Sequence, residues 1–326
     1  MSYPNPTSRD EPGSVLLSRA KLPAAPTPAR RILQSWDRPE RLFPLLTGKD
    51  DPHSLAAFRI LFGIYLLGYH LPALPDIGLR YGAEGVHASA WAGVAWAPAW
   101  LLHGAPAPLA WLLWLALIAA CLGLTLGWRS AWLTPLVLVL HTWHALLAHW
   151  VRDCSYDRLI VLFLAIACCA RLDGAWALRP VRPGQPVPSW PGGLIAIQLA
   201  FLYLGTGLVK ACNPEWSWWP ASARIVRDSI GGTWGTDLGR WLASLPLPDL
   251  LWAGATYAVI AFEIGAAVTL WLPRWRLWTC IAGAVLHVGI SLTMGIPEFL
   301  LCIAAYPLYF PGAEVSAAWT RLTGRG

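Results

Sequence analysis

The chain contains 326 residues, of which 56% are hydrophobic and only 13% are charged. Soluble domains carry about 25% charged residues, so this composition argues against a soluble protein and predicts a membrane protein. Tryptophan, which gathers at the headgroup level of bilayers, occurs 22 times. The net charge of +6 does not indicate nucleic-acid binding, because eight of the basic residues fall within the first 50 positions.

Those basic residues belong to an N-terminal segment, residues 1–52, that is rich in Pro, Ser and Thr and has few large apolar side chains. Such a composition predicts disorder. The segment lacks an apolar core region, which excludes a signal peptide. We therefore expect a basic, disordered arm that stays on the cytoplasmic side of the membrane.

The arm is followed by apolar stretches that approach the ~20 residues a bilayer core requires. They predict an all-α, polytopic transmembrane bundle of about eight spans within residues 53–311. The predicted spans are Ser54–Leu71, Pro108–Leu126, Ala131–Trp150, Tyr156–Leu172, Gly193–Cys212, Leu250–Leu272, Trp275–Met294 and Phe299–Phe310. The last span is short, and Val86–His103 is a candidate lateral or re-entrant helix.

The distribution of arginine predicts how the bundle is oriented. With the arm inside, the inner connections carry arginines and almost no acidic residues, whereas the outer connections mix both signs. By the positive-inside rule both termini are cytoplasmic, and residues 312–326 form a cytoplasmic tail. The long connections Pro72–Ala107 and Asn213–Asp249 then face outward.

Polar side chains within the spans are the candidate functional residues, since ionisable groups there usually face the bundle interior or water. Lys210, one of only three lysines, ends the fifth span; an ammonium group costs roughly 2.5–3.5 kcal/mol at mid-bilayer and less toward the ends. The other candidates are Glu263, near the middle of the sixth span, and His287, His141, His144, Tyr69 and His70, most of which lie toward the outer leaflet. Together they predict a polar cavity that opens outward.

Each candidate also has a structural interpretation. Lys210 could extend to the outer headgroups, or it could line a dry pocket and act there as a general base. Glu263 and His287 could form a hydrogen-bonded pair that only holds helices together. His141 and His144 have the i, i+3 spacing that suits two metal ligands, but no third ligand is evident, so we predict no metal site.

Three further residues lie near the ends of the spans. Cys154 and Cys212 both fall at the predicted outer boundary, where disulfides are permitted, so a bridge between them is possible. Arg59, near the inner end of the first span, is expected to contact headgroups or to pack between helices.

Four blocks of the sequence resemble the HTTM-domain family, the membrane domain of vitamin K-dependent γ-glutamyl carboxylase. The most specific block is "YLGTGLVKACNPEW", Tyr203–Trp216. The others, in the family's order, are the first span with its outer loop (Phe58–Val86), a span with a mid-membrane acid and a basic turn (Thr256–Arg276), and a histidine span (Leu286–Phe299). The resemblance covers about residues 50–311.

This resemblance implies a function. It makes Lys210 the base that deprotonates a reduced, vitamin K-like quinone, with His287 and Glu263 as catalytic neighbours and Tyr203 and Trp216 in the cavity. The carboxylase's catalytic histidine precedes a Ser-Tyr pair, where this chain has Cys154. Short bacterial relatives of this kind resemble the membrane partner that matures a secreted peptide toxin.

Three functional hypotheses follow from the sequence. The first is a carboxylase-like enzyme or maturation factor in a bacterial plasma membrane, whose active face points outward and whose substrate is a secreted peptide. The second is a helper without enzymatic activity that binds or exports a peptide. The third, a proton-coupled carrier, is weaker because no internal repeat is apparent.

Overall fold

A computed structural model describes residues 44–85, 104–148 and 155–324. The candidate lateral helix Val86–His103, Cys154 and most of the predicted arm lie outside these residues. Within them the chain is mostly helical. The first four helices are α1 (Pro44–Thr47), α2 (His53–His70), α3 (Ile77–Tyr81) and α4 (Ala107–Leu126).

The remaining helices continue to the C-terminal end. They are α5 (Ser130–Ala148), α6 (Ser155–Ala167), α7 (Trp190–Cys212), α8 (Pro214–Ser217), α9 (Ser222–Gly231), α10 (Asp237–Ser244), α11 (Asp249–Thr269), α12 (Arg276–Met294), α13 (Leu300–Ala305) and α14 (Gly312–Thr323). Short 3₁₀ helices occupy Leu71–Asp76, Pro297–Phe299 and Tyr306–Tyr309.

Six helices in the described ranges are long and apolar enough to cross a bilayer, rather than the eight predicted. They are α2 with its extension to Tyr81, then α4, α5, α7, α11 and α12. The count reaches seven if the bent pair Pro297–Tyr309 and Gly312–Thr323, which turns by 102°, is one broken span.

The two other predicted spans are shorter than their apolar runs. The fourth corresponds to α6, which ends at Ala167, before the predicted end of the span at Leu172. The eighth is divided between two 3₁₀ helices and α13. Pro307 lies at the start of the second 3₁₀ helix, where it cannot supply the N–H that an uninterrupted α-helix needs.

Residues just before α2 join the start of the bundle to its end. Strand β1 (Lys49–Asp50) pairs antiparallel with β2 (Val187–Pro188) immediately before α7. Both carboxylate oxygens of Asp50 accept the backbone N–H of Gly312, at 3.2 and 3.0 Å. Residues 44–50, which the sequence assigned to the arm, thus include α1 and β1.

Arg59 fixes the loop between α6 and α7 to the end of the bundle that carries β1 and β2. Its side chain is fully buried and donates to the carbonyl oxygens of Leu172, Ala175 and Trp176, at 2.7, 3.2 and 2.6 Å. Arg59 therefore packs between elements, as one of its two predicted roles required, and does not reach the headgroups.

Helices α7 and α11 form the most extensive helix pair among the described residues. Gly207 makes their close approach possible, because a Cβ atom at that position would lie 2.8 Å from Cγ1 and 3.0 Å from the backbone nitrogen of Ile264. The connection between α7 and α11 packs back on the bundle, since α9 lies against α11 and α10 against α12.

Candidate functional site

Lys210 and Glu263 form an ion pair between α7 and α11. The Lys210 Nζ atom lies 2.8 Å from Oε1 and 2.7 Å from Oε2 of Glu263. The Glu263 side chain is 8% exposed and that of Lys210 20% exposed. The ring of Trp216 lies with its centroid 5.3 Å from Nζ, within range of a cation–π contact. The pair is closed by protein on the glutamate side and partly open on the lysine side.

The spacing of residues along α7 explains why Lys210 meets Glu263. Tyr203, Gly207 and Lys210 stand at i, i+4 and i+7, so they share one face of the helix. Gly207 lets the backbone of α11 approach this face, because a Cβ there would lie 3.0 Å from the Cβ of Glu263. Tyr203, Gly207 and Lys210 therefore lie on the face of α7 that packs against Glu263 of α11.

A hydrogen-bonded trio lies two turns away along α7. The hydroxyl of Tyr203 is 2.6 Å from Nε2 of His287 and 2.6 Å from the hydroxyl of Tyr306. All three side chains are buried. His287 thus pairs with Tyr203, and Glu263 with Lys210, in place of the Glu263–His287 pair that the sequence left open.

The position of the His287 ring is set by its aromatic neighbours. It stacks between the rings of Tyr203 and Phe299, at 5.8 Å from each. Its Nδ1 atom is buried and has no hydrogen-bond partner among the described residues. Nearby, Gly283 leaves room for Tyr306, because a Cβ at 283 would lie 2.0 Å from the tyrosine oxygen.

The remaining candidates form a second polar group, built by α2, α5 and α6. Nε2 of His70 is 3.1 Å from Nδ1 of His141, and the Tyr69 hydroxyl donates to Oδ1 of Asp157 at 2.5 Å. Nε2 of His141 lies 3.8 Å from the same carboxylate oxygen. Four titratable side chains from three helices therefore lie next to one another.

This second group borders a cavity of about 90 Å³, lined also by Arg80, Tyr81 and His144. Nδ1 of His144 is 2.7 Å from the carbonyl oxygen of Leu140, so this nitrogen carries the proton and Nε2 is an acceptor. The lining residues do not include Lys210, Glu263, Tyr203 or His287. The sequence predicted that all these residues line one cavity. In the structure they form two separate groups, and only the second borders this cavity.

Within the described ranges, no group of three or more His, Cys, Asp or Glu side chains has the geometry to hold a metal ion. His141 and His144 do not combine with a third ligand there. Cys212 is exposed at the end of α7, while Cys154 lies outside the described residues, so their disulfide stays a prediction.

Two important residues were not among the sequence candidates. Tyr306 completes the trio with Tyr203, and Asp157 joins Tyr69 to His141. Asp157 carried a usable signal, as an acid at the start of an apolar run next to Tyr156. Tyr306 carried a weaker one, because a tyrosine in an apolar run is as typical of the membrane interface.

These observations define a class of protein: an integral membrane helical bundle with charged and hydrogen-bonded side chains between its spans. The comparison with family models narrows this to one family. The HTTM domain matches residues 48–313, most of the chain, so the protein belongs to the HTTM-domain family. The chain matches no curated protein and no solved structure.

Proposed function

We propose that the protein is a membrane enzyme or maturation factor that acts on a secreted peptide, with the Lys210–Glu263 pair as its proton-transfer centre. The observation that supports this most is the geometry of the pair. Both carboxylate oxygens are within hydrogen-bond distance of Nζ, yet a fifth of the lysine side chain stays accessible. A purely structural pair would gain nothing from this opening.

Base chemistry at this centre requires the proton of the pair to lie on Glu263. With the proton on Glu263, Lys210 is a neutral amine whose lone pair can accept a proton from a weakly acidic hydroxyl or C–H group. The ammonium group that results stays beside Glu263 and faces the substrate anion that has formed. In this arrangement Lys210 is the base, and Glu263 sets its charge state and position.

The family resemblance suggests that the acidic hydroxyl belongs to a reduced quinone, and the residues present fit such a group. Lys210 and Trp216 would hold it, because they combine a hydrogen-bonding nitrogen with an aromatic face. When bound, the quinone would supply the oxidative step of a carboxylase-like reaction. Orientation of the site toward the outside of a bacterial plasma membrane belongs to this same proposal.

Substitution of Lys210 tests the proposal directly. Peptides secreted by cells with and without the protein would be compared by mass spectrometry, beginning with peptides encoded beside its gene. We expect Lys210→Ala and Lys210→Arg both to abolish the mass change, since arginine keeps the charge but cannot become neutral. Lys49→Ala, at an exposed position of β1, is the matched control and should be fully active.

The outcome for Lys210→Arg separates this proposal from the second candidate, a helper that binds or exports a peptide without chemistry. That alternative is favoured by the same two hydrogen bonds, because they satisfy the lysine as a fixed part of the scaffold. A fully active Lys210→Arg variant would support the helper and contradict base catalysis. A secreted peptide of unchanged mass but reduced amount would do the same.

A further inference from the structure

A groove with a volume of about 520 Å³ lies where the loop between α6 and α7 crosses the ends of α2 and α4. Its walls are mostly apolar and include Ile60, Leu126, Trp176 and Leu178. This volume is within the range of ligand sites, roughly 300–1,000 Å³. The groove is at the end of the bundle where α7 begins, and Lys210 is near the other end of that helix.

The groove is preformed by contacts within the protein. Buried Arg59 binds three carbonyl oxygens of the loop, and the Leu178 N–H donates to the Leu126 carbonyl at 2.8 Å. Trp176 and Arg182 have φ angles of 45° and 48°, a left-handed conformation that persists only where surrounding contacts impose it. The loop is thus held in one defined shape over the ends of the helices.

The chain segments that line the groove also carry three arginines, which we call its rim. Arg179 and Arg182 are exposed on the loop, and Arg129 is exposed three residues beyond the end of α4. In the part of the chain that the structure describes, none of the three forms an ion pair. Asp173, the acidic residue of the same loop, is buried, and the cations whose charges act on it are Arg59 and Arg171.

Exposed aromatic residues place this rim at a membrane surface. Trp128 is 47% exposed and Trp132 is 78% exposed, and both flank Arg129. Tryptophan and arginine beside the ends of spans are typical of the boundary between hydrocarbon and water. This combination favours a groove that faces the bilayer, with the arginines level with the phosphates.

We propose that this groove binds an anionic phospholipid, with an acyl chain along the apolar walls and the phosphate headgroup over Arg129, Arg179 and Arg182. The three rim arginines, which form no ion pair with any described residue, give the preference for a negative headgroup. Basic pockets at the ends of transmembrane helices bind anionic lipids in this way. The site is separate from the Lys210 centre and does not depend on the function proposed for it.

Native mass spectrometry of the purified, delipidated full-length protein tests the proposal. Phosphatidylglycerol and phosphatidylcholine with identical acyl chains would be added in competition. We expect the wild type to prefer phosphatidylglycerol, and the triple variant Arg129→Gln/Arg179→Gln/Arg182→Gln to lose that preference. At about 1 kcal/mol for each basic residue near a lipid surface, or about fivefold, the loss should approach a hundredfold.

Two controls distinguish the groove from general electrostatic attraction. The variant Arg224→Gln/Arg227→Gln alters α9, beyond the other end of α7, and should keep the preference. Leu178→Asn, at an exposed wall residue, should weaken both lipids, whereas glycerol phosphate without acyl chains should not compete. The proposal is overturned if the triple variant still selects phosphatidylglycerol, or if glycerol phosphate competes as well as the lipid. Thermal unfolding of each variant confirms that it is folded.

Discussion

At residue 210, the cost of an ammonium group in a membrane helix is offset by Glu263 rather than by the headgroups. Removing one partner leaves the other as an uncompensated charge, which is worse than removing both. We expect Glu263→Gln to lower the free energy of unfolding by about 3 kcal/mol, the low end for breaking a buried pair, because Lys210 is still 20% exposed.

A double-mutant cycle measured by thermal unfolding in detergent checks this expectation. Lys210→Met/Glu263→Gln should recover most of the stability lost in Glu263→Gln, since no charge then lies unpaired. It should nevertheless be inactive if Lys210 is the base. If the double variant lost as much stability as Lys210→Met and Glu263→Gln together, the pairing would be contradicted, whatever the activity shows.

The chemical types at this centre could be predicted from the sequence, but their partners could not. Lys210, Glu263, Tyr203 and His287 stand out because polar groups are costly in apolar runs. Their pairing depends on which helices are neighbours, and Gly207 and Gly283 decide how closely those helices approach. The histidines of α2 and α5 looked similar in sequence, yet packing combines them with Asp157 instead of with Lys210.

At the scale of the elements, the distance between α7 and α11 controls the geometry of the ion pair. Gly207→Ala would put a methyl group 2.8 Å from Cγ1 of Ile264, so the helices must separate. Such overpacking costs typically about 1–3 kcal/mol. We expect this variant to unfold at a lower temperature and to lose activity in proportion to the displaced Lys210–Glu263 contact.

Gly205→Ala is the matched control in the same helix. A Cβ at Gly205 meets nothing within 4 Å, and alanine favours a helix by roughly 0.5–1 kcal/mol over glycine. This variant should be as stable as the wild type or more so, and fully active. Equal losses from the two substitutions would contradict a specific role for the close approach of α11 at Gly207.

Helix positions were predicted well wherever a long apolar run had clear boundaries. The predicted span Pro108–Leu126 and helix α4 differ by one residue, and Trp275–Met294 and α12 also differ by one. The predicted span ends were less accurate where hydropathy was the only signal for the length of the helix. The run after Tyr156 stays apolar beyond α6, but its chain turns at residues 168–170, and turns of this kind depend on tertiary packing that hydropathy does not report.

At the scale of the whole molecule, the two ends of the bundle differ in chemistry. Lys210, Glu263 and Trp216 lie toward the end where α7 meets the α8–α10 connection, whose charges are mixed. The other end carries the buried Arg59, the apolar groove and the three rim arginines, which form no ion pair among the described residues. The positive-inside rule predicts that this arginine-rich end is cytoplasmic.

Two native cysteines allow the orientation to be measured. Cys169 is exposed at the arginine-rich end, and Cys212 is exposed at the other end of the bundle. One variant, Cys154→Ser/Cys168→Ser/Cys169→Ser, keeps Cys212 as the accessible thiol. The matched variant, Cys154→Ser/Cys168→Ser/Cys212→Ser, keeps Cys169. The other cysteines, Cys121, Cys280 and Cys302, are buried, and replacing Cys154 in both variants removes the predicted disulfide.

With a maleimide that cannot cross membranes, intact cells should label the Cys212 variant and leave the Cys169 variant unlabelled. After permeabilisation both should react, which shows that each thiol is accessible to the reagent. The expected pattern follows because the arginines of the groove rim keep their end of the bundle cytoplasmic. The reverse pattern would place the Lys210 centre on the cytoplasmic side, where a secreted peptide could meet it only before export.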